Sequence, residues 1–134
     1  MKKRILIVDD DDSVRGLMRD LIGNPSHGLD VSTVSSAAEA LAVVQNQSFD
    51  LMITDYNMPQ MNGEELSRRL RELGYSFPIV MVTGSLLVED QLEALSCGIN
   101  VIVPKPFDPE ALVDVVRNLV NGCDAPELSL SSRR

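Results

Sequence analysis

Five side chains in this sequence could act together in chemistry, because each follows a short apolar run at the point where that run ends. They are Asp9, Asp10, Asp55, Thr83 and Lys105. An apolar run of this kind is typical of a buried strand, and ligand sites in open α/β sheets lie outside the carboxyl ends of the strands. We therefore predict that three carboxylates, a hydroxyl and an ammonium group share one crevice.

Three carboxylates in one crevice repel each other, so near neutral pH they need protons or a cation to remain together. Oxygen ligands suit Mg²⁺, which keeps several water ligands and can bridge to a phosphate. We predict that Asp10 and Asp55 bind the ion directly and that Asp9 holds one of its water ligands. The backbone carbonyl of Asn57 would complete the site.

Simpler interpretations compete at several positions. Four aspartates in a row can serve as a solvated helix cap, and we adopt that interpretation for the last two, Asp11 and Asp12. Lys105 in isolation could be a solvated surface charge. Opposite three carboxylates, however, a paired ammonium relieves their repulsion and can bind phosphoryl oxygen. Thr83 precedes Gly84, which leaves room for close approach of the backbone, so we expect its hydroxyl to face the crevice.

The elements that must position these residues follow from the apolar periodicity. Strands are predicted at residues 4–8, 29–34, 50–54, 78–82 and 101–103. Helices are predicted from residue 11 or 12 to 22, from 35 or 36 to 44, from 63 to 74, from 85 to 97, and from 108 to 120. This alternation predicts a single-domain, doubly wound α/β fold with a five-stranded parallel sheet, strand order 2-1-3-4-5, and five flanking helices.

Length, charge and cysteine usage set further bounds. A chain of 134 residues fits one domain, here residues 1–121, and we expect residues 122–134 to form a flexible tail or the start of a linker. The net charge of -8 argues against direct binding to nucleic acid. No apolar run approaches the length needed to cross a membrane. Cys97 and Cys123 lack metal-ligand spacing, which favours reduced thiols and a cytoplasmic protein. His27 is predicted to be a surface residue rather than a ligand.

Four motifs make the sequence recognisable. They are Ile-Leu-Ile-Val-Asp-Asp at 5–10, Leu-Met-Ile-Thr-Asp-Tyr-Asn-Met-Pro-Gln-Met-Asn-Gly at 51–63, Ile-Val-Met-Val-Thr-Gly at 79–84 and Lys-Pro-Phe at 105–107. Over residues 3–121 the chain resembles the receiver domain of bacterial two-component response regulators, a family with the flavodoxin-like strand order used above.

The resemblance implies a function and a role for each site residue. Asp55 would be phosphorylated by a histidine kinase or a histidine phosphotransfer protein, with Asp9 and Asp10 in the Mg²⁺ site. Thr83 and Lys105 would contact the phosphoryl group, and the peptide before Pro106 would be cis. Such a domain is not an enzyme with turnover, since it catalyses only its own aspartyl phosphorylation and dephosphorylation.

The resemblance also leads us to expect a switching surface. Phosphorylation should recruit Thr83 and bias the face made by the fourth helix, the fifth strand and the fifth helix. We expect Leu86, Leu87 and Ile102 to lie on this face and to contact an unknown downstream protein. One departure from the family is Ile102, since an aromatic residue is usual three positions before the lysine. Pro104 removes a backbone donor, which is tolerable because the fifth strand is expected to be an edge.

Rival functions fit the same residues less well. A haloacid-dehalogenase-type phosphatase needs a second acid two residues after its nucleophile, and that position holds Asn57. A flavodoxin-like cofactor binder needs a phosphate-binding loop after the first strand, where four aspartates would repel the phosphate. A third alternative lies within signalling: the chain is a receiver module from a larger regulator or hybrid kinase, with an output domain beyond the tail.

Overall fold

The computed structural model describes residues 2–84 and 95–121 of the chain. The strands are β1 (Lys3–Val8), β2 (Leu29–Val34), β3 (Leu51–Asp55), β4 (Ile79–Thr83) and β5 (Val101–Pro104). The helices are α1 (Asp12–Ile22), α2 (Ala37–Asn46), α3 (Gly63–Glu72) and α4 (Pro109–Val120), with a short 3-10 turn at Pro25–His27 in the predicted loop. The helix predicted at residues 85–97 lies outside the described residues except for its last three.

The five strands form one parallel sheet in the order β2-β1-β3-β4-β5, which confirms the predicted topology. β1 and β3 are neighbours at its centre, with Val8 paired to Thr54, so Asp9 and Asp55 leave the sheet side by side. Thr83 at the end of β4 pairs with Pro104 in β5, which is an edge strand as predicted. The topology alone therefore brings the candidate residues to one edge of the sheet.

The sheet buries both of its faces because its central strands carry runs of consecutive apolar residues. All of Ile5 to Val8 is fully buried, and alternate side chains point to opposite faces. Ile5 and Ile7 pack in the core beneath α1 and α4, whereas Leu6 and Val8 pack with α2 and α3. A continuous apolar run, rather than an alternating one, is what a parallel sheet covered on both sides requires.

Each of the helices α1 to α4 begins at a polar side chain that accepts a hydrogen bond from at least one free backbone N–H group. The N-caps are Asp11 for α1, Ser36 for α2, Asn62 for α3 and Asp108 for α4. Asp11 accepts from the N–H groups of Ser13 and Val14, which confirms its predicted capping role. The carboxylates that follow β1 therefore divide into an inner pair at the sheet edge and an outer pair at the start of α1.

Three apolar residues lie elsewhere than the sequence predicts. Leu17 and Leu73, expected on inward helical stripes, are 51% and 62% exposed. Leu73 caps α3 at the point where the helix has already ended, so the stripe does not extend to it. Ile102 is only 3% exposed and packs in the core beside α2 and α3, so its predicted place on the output surface is wrong for this conformation. Leu86 and Leu87 lie outside the described residues.

Gly63, the first residue of α3, packs closely against the backbone at the end of the third strand. The N–H of Gly63 donates to the Tyr56 carbonyl at 2.9 Å, and a Cβ at this position would collide with the carbonyl oxygen of Asp55. We expect Gly63→Ala to lower the free energy of unfolding by about 2 kcal/mol, because the clash involves backbone that cannot move aside cheaply. Urea denaturation followed by circular dichroism measures this change.

The matched control for that substitution is Gly16→Ala, within α1. A Cβ there meets only the flexible end of the Arg19 side chain, at 3.8 Å, and the new alanine favours the helix. We expect this variant to be more stable than the wild type by up to about 1 kcal/mol. Equal effects of the two substitutions would contradict the claim that Gly63 is required for close backbone approach.

Candidate functional site

Asp9 is the most deeply buried acid of the site. Its backbone N–H donates to the Val34 carbonyl at 3.2 Å, and its Oδ1 accepts from the Asp11 N–H at 2.9 Å. Its Oδ2 is buried and has no hydrogen-bond partner among the described residues. Burial raises the pKa of this carboxyl to about 6, and the charges of Asp55 and Asp10 add to the rise, against the Asp11 N–H and Lys105, which oppose it. A buried oxygen without a partner is costly, so Asp9 Oδ2 fits a role in holding a cation or one of its water ligands.

Asp55 ends β3 and is 5% exposed. Lys105 Nζ lies 2.8 Å from its Oδ1, and the lysine side chain is 30% exposed. The two charges are in contact as an ion pair, although the angle is not that of a hydrogen bond. This contact confirms that Lys105 is paired rather than merely solvated.

Asp10 completes an acidic cluster at the sheet edge. One carboxylate oxygen from each of Asp9, Asp10 and Asp55 can be chosen so that all three lie within 4.8 Å of one another. Asp10 is exposed, whereas the other two acids are buried, so the cluster opens to solvent on one side. Three oxygen donors with one open side fit a hard divalent cation such as Mg²⁺ that keeps several waters.

The remaining candidates lie at the carboxyl-terminal edge of the same sheet or in the segment directly after it. Thr83 is 4% exposed at the end of β4, and its carbonyl accepts from the Lys105 N–H at 2.8 Å. The peptide between Lys105 and Pro106 is cis, as the resemblance implied. Asn57 lies two residues beyond Asp55 with an exposed side chain, and the role of its carbonyl as a metal ligand stays a prediction.

The order of the strands and the acidic cluster at their carboxyl ends can now be compared with known proteins. Residues 5–117 match the family described as "Response regulator receiver domain". The chain belongs to this family. Members of the family accept a phosphoryl group from histidine kinases and bind Mg²⁺ at an acidic cluster of the kind seen here.

Relatives of this receiver domain include both regulators and kinases. It is 35% identical to the response regulator MprA of Mycobacterium sp. strain KMS, with 96% of this chain covering 58% of that protein. It is 36% identical to the sensor histidine kinase RcsC of Salmonella typhi, with 81% of this chain covering 11% of that protein. The chain thus spans little more than half of the regulator and about a tenth of the kinase.

Solved structures of receiver domains share the fold. Chemotaxis protein CheY4 of Vibrio cholerae is 33% identical and superposes with a TM-score of 0.82, covering 89% of this chain and 99% of that one. A CheY-like receiver from Methanospirillum hungatei is 30% identical with a TM-score of 0.83, covering 90% and 95%. The five-stranded parallel architecture is therefore that of the family.

Several residues singled out in the sequence lie away from this site. Cys97 is a free, partly buried thiol, and Cys123 lies outside the described residues. His27 is partly buried in the 3-10 turn rather than fully exposed, and it is not a member of the acidic cluster. Among the described helices, none has the length and apolar character needed to cross a membrane.

One residue near the site carries no motif and was missed. Arg15 in α1 donates a hydrogen bond from Nη1 to the Asp9 carbonyl at 2.7 Å. The signal that could have found it is its spacing: a helix that starts directly after the strand turns its fourth residue back toward the strand end.

Proposed function

We propose that Asp55 is the phosphoacceptor of a two-component signalling pathway, and that the phosphoryl group comes from a histidine kinase or a histidine phosphotransfer protein. The observation that carries this proposal is the contact of 2.8 Å between the buried Asp55 carboxylate and Lys105, at a cluster of three acids. A carboxylate at the end of a buried strand, in contact with an ammonium group, can act as a nucleophile toward phosphorus. Membership of the receiver family supports the same assignment.

The proposed transfer forms one bond and breaks one. An Asp55 carboxylate oxygen attacks phosphorus, the bond from phosphorus to the donor's imidazole nitrogen breaks, and the aspartyl phosphate keeps the phosphoryl group. Lys105 moves its charge toward the transferred oxygens, and the Thr83 hydroxyl donates to one of them. Asp9, Asp10, Asp55 and the Asn57 carbonyl would hold Mg²⁺, which when bound neutralises charge on those oxygens. The domain itself positions the reacting groups and neutralises charge on the transferred phosphoryl oxygens.

The reaction is a modification of the domain itself. We therefore propose that this is a signalling module, catalysing only its own phosphorylation and dephosphorylation, and not an enzyme. The net charge of -8 supports a protein rather than nucleic acid as the direct partner. Because the Ile102 side chain is buried in the core, an output surface at the β5 edge cannot depend on it in this conformation.

The test is phosphorylation with a small acyl phosphate donor in place of the kinase. We expect intact-protein mass spectrometry to show the gain of one phosphoryl group in the presence of Mg²⁺ and none after chelation with EDTA. Hydroxylamine should remove the group, because acyl phosphates are cleaved by this nucleophile and serine or threonine phosphates are not. An unchanged mass in the presence of Mg²⁺, or a hydroxylamine-resistant product, would contradict the proposal.

A further inference from the structure

Arg15 contacts the loop that carries the acidic residues. Its Nη1 donates to the Asp9 carbonyl at 2.7 Å, and its Nη2 pairs with the carboxylate of Asp12. The Arg15 side chain is 20% exposed, although the Asp12 side chain is 87% exposed. The guanidinium therefore lies against the protein and joins the end of β1 to the first turn of α1.

The ion pair with Asp12 does not account for this placement. A pair of charges three residues apart on an exposed helix surface contributes only a few tenths of a kcal/mol. The bond to the Asp9 carbonyl differs, because its donor is charged and its acceptor belongs to a buried residue at the site. Arg15 thus contacts main chain at the acidic cluster as well as the exposed carboxylate.

The Asp9 carbonyl, which accepts the hydrogen bond from Arg15, is part of the peptide that leads to Asp10. The Asp9 carbonyl belongs to the planar peptide that joins Asp9 to Asp10, so holding its oxygen fixes the orientation of the whole peptide. Asp9 is also held at its N–H by Val34 and at its Oδ1 by Asp11. Asp10, by contrast, is exposed, and the direction of its side chain depends on the peptide before it.

We propose that Arg15 is a positioning residue for the acidic cluster: by holding the Asp9 carbonyl it keeps the Asp10 carboxylate within reach of Asp9 and Asp55. This inference rests on the proposed function, in which the cluster binds Mg²⁺. Arg15 touches neither the reacting atoms nor any carboxylate of the cluster itself among the described contacts. Arg15 therefore acts on the Asp10 carboxylate through the peptide that joins Asp9 to Asp10.

The direction in which Mg²⁺ affinity changes when Arg15 is replaced distinguishes a positioning role from a purely electrostatic one. Arg15 carries a positive charge, and a positive charge beside a cation site repels the cation. If charge were its only influence, Arg15→Met would tighten Mg²⁺ binding. A positioning role predicts that Arg15→Met weakens Mg²⁺ binding. The loss of an outer residue that orients a metal ligand lowers metal affinity by about 10- to 100-fold.

The experiment is isothermal titration calorimetry of the whole chain with Mg²⁺. We expect Arg15→Met to raise the dissociation constant about tenfold or more relative to the wild type. Arg15→Lys keeps the charge but lacks the fork that reaches two acceptors at once, so we expect a smaller rise in the same direction. Arg19→Met is the matched control, because Arg19 lies on the same helix and contacts only the neighbouring Asp20 among the described residues. It should bind Mg²⁺ within about twofold of the wild type.

Each result has a definite meaning. Circular dichroism in EDTA reports whether Arg15→Met is folded, and if it is not, the folded Arg15→Lys protein decides. Weaker binding in the Arg15 variants with normal binding in Arg19→Met supports positioning. Unchanged or tighter binding in the folded Arg15 variants, with normal binding by the wild type, overturns this inference alone. Failure of the wild type to bind Mg²⁺ overturns the proposed function as well.

Discussion

An Asp55→Asn protein is expected to gain no phosphoryl group from a small acyl phosphate donor in the presence of Mg²⁺. The amide has nearly the shape of the carboxylate but lacks its nucleophilic charge, so the covalent route is lost. We expect the rate of incorporation to fall by at least roughly a thousandfold. The fold should survive, because the substitution is close to isosteric and removes one of three mutually repelling acids. Intact-protein mass spectrometry measures the loss.

The control for Asp55→Asn lies just before the same strand, at the amino-terminal end of the sheet. Asp50 precedes β3, and its Oδ2 accepts from the Arg4 N–H at 2.8 Å, a bond that an asparagine oxygen can replace. Asp50→Asn should therefore be phosphorylated at the wild-type rate. If Asp55→Asn and Asp50→Asn took up phosphate equally, the acceptor would have to be a different residue.

Without divalent cations, the contribution of Asp9 to stability is expected to become less favourable as the pH rises from about 4 to about 6. Burial raises the pKa of Asp9 from 3.8 to about 6 in the folded state. Within this window the unfolded chain has released the Asp9 proton and the folded chain still holds it, so a rise in pH favours unfolding. Above both pKa values the full penalty applies, about 3 kcal/mol.

Urea denaturation in EDTA at several pH values measures this penalty. Other carboxylates titrate in the same range, so the informative quantity is the difference in unfolding free energy between the wild type and Asp9→Asn. That difference should move in favour of the variant by about 2 kcal/mol from about pH 4 to about pH 7. Adding Mg²⁺ near neutral pH should stabilise the wild type more than the variant. Parallel curves for the two proteins would show that Asp9 bears no such penalty.

A substitution at an exposed acid serves as the control for this series. Asp20 is on α1, and its side chain is 75% exposed beside Arg19. Asp20→Asn should give a pH profile parallel to that of the wild type, because an exposed carboxylate is solvated in both the folded and unfolded states. If Asp20→Asn changed the pH dependence of the unfolding free energy as much as Asp9→Asn does, the cause would be net charge rather than burial of Asp9.

The strands could be predicted from the sequence because a parallel sheet leaves a strong local signal, and their order followed as the usual one for five β-α units, which is also that of the family. Ile5 to Val8 and Leu51 to Thr54 are continuous apolar runs that end at an aspartate, and nothing but a doubly buried strand explains both features together. Once the strand order was predicted, the convergence of Asp9, Asp10 and Asp55 followed from topology and is confirmed. The site was predictable because its residues sit at strand ends.

The errors arose where tertiary packing decides. Leu17 and Leu73 fit a helical stripe, but which part of that stripe is covered depends on the neighbouring helices. Ile102 was placed on a surface by its position in the family, whereas the side chain here is small and apolar enough to pack inward. Arg15 was missed because its partner is a backbone carbonyl, and a carbonyl has no residue type to recognise.

The short fifth strand at the border of the sheet has a consequence for the behaviour of the protein at high concentration. An open border presents free backbone groups that can recruit a strand from another molecule and begin aggregation. β5 is only four residues long and ends in an exposed proline, which offers no N–H to an incoming chain. This rim of the domain is therefore poorly suited to templating fibre growth.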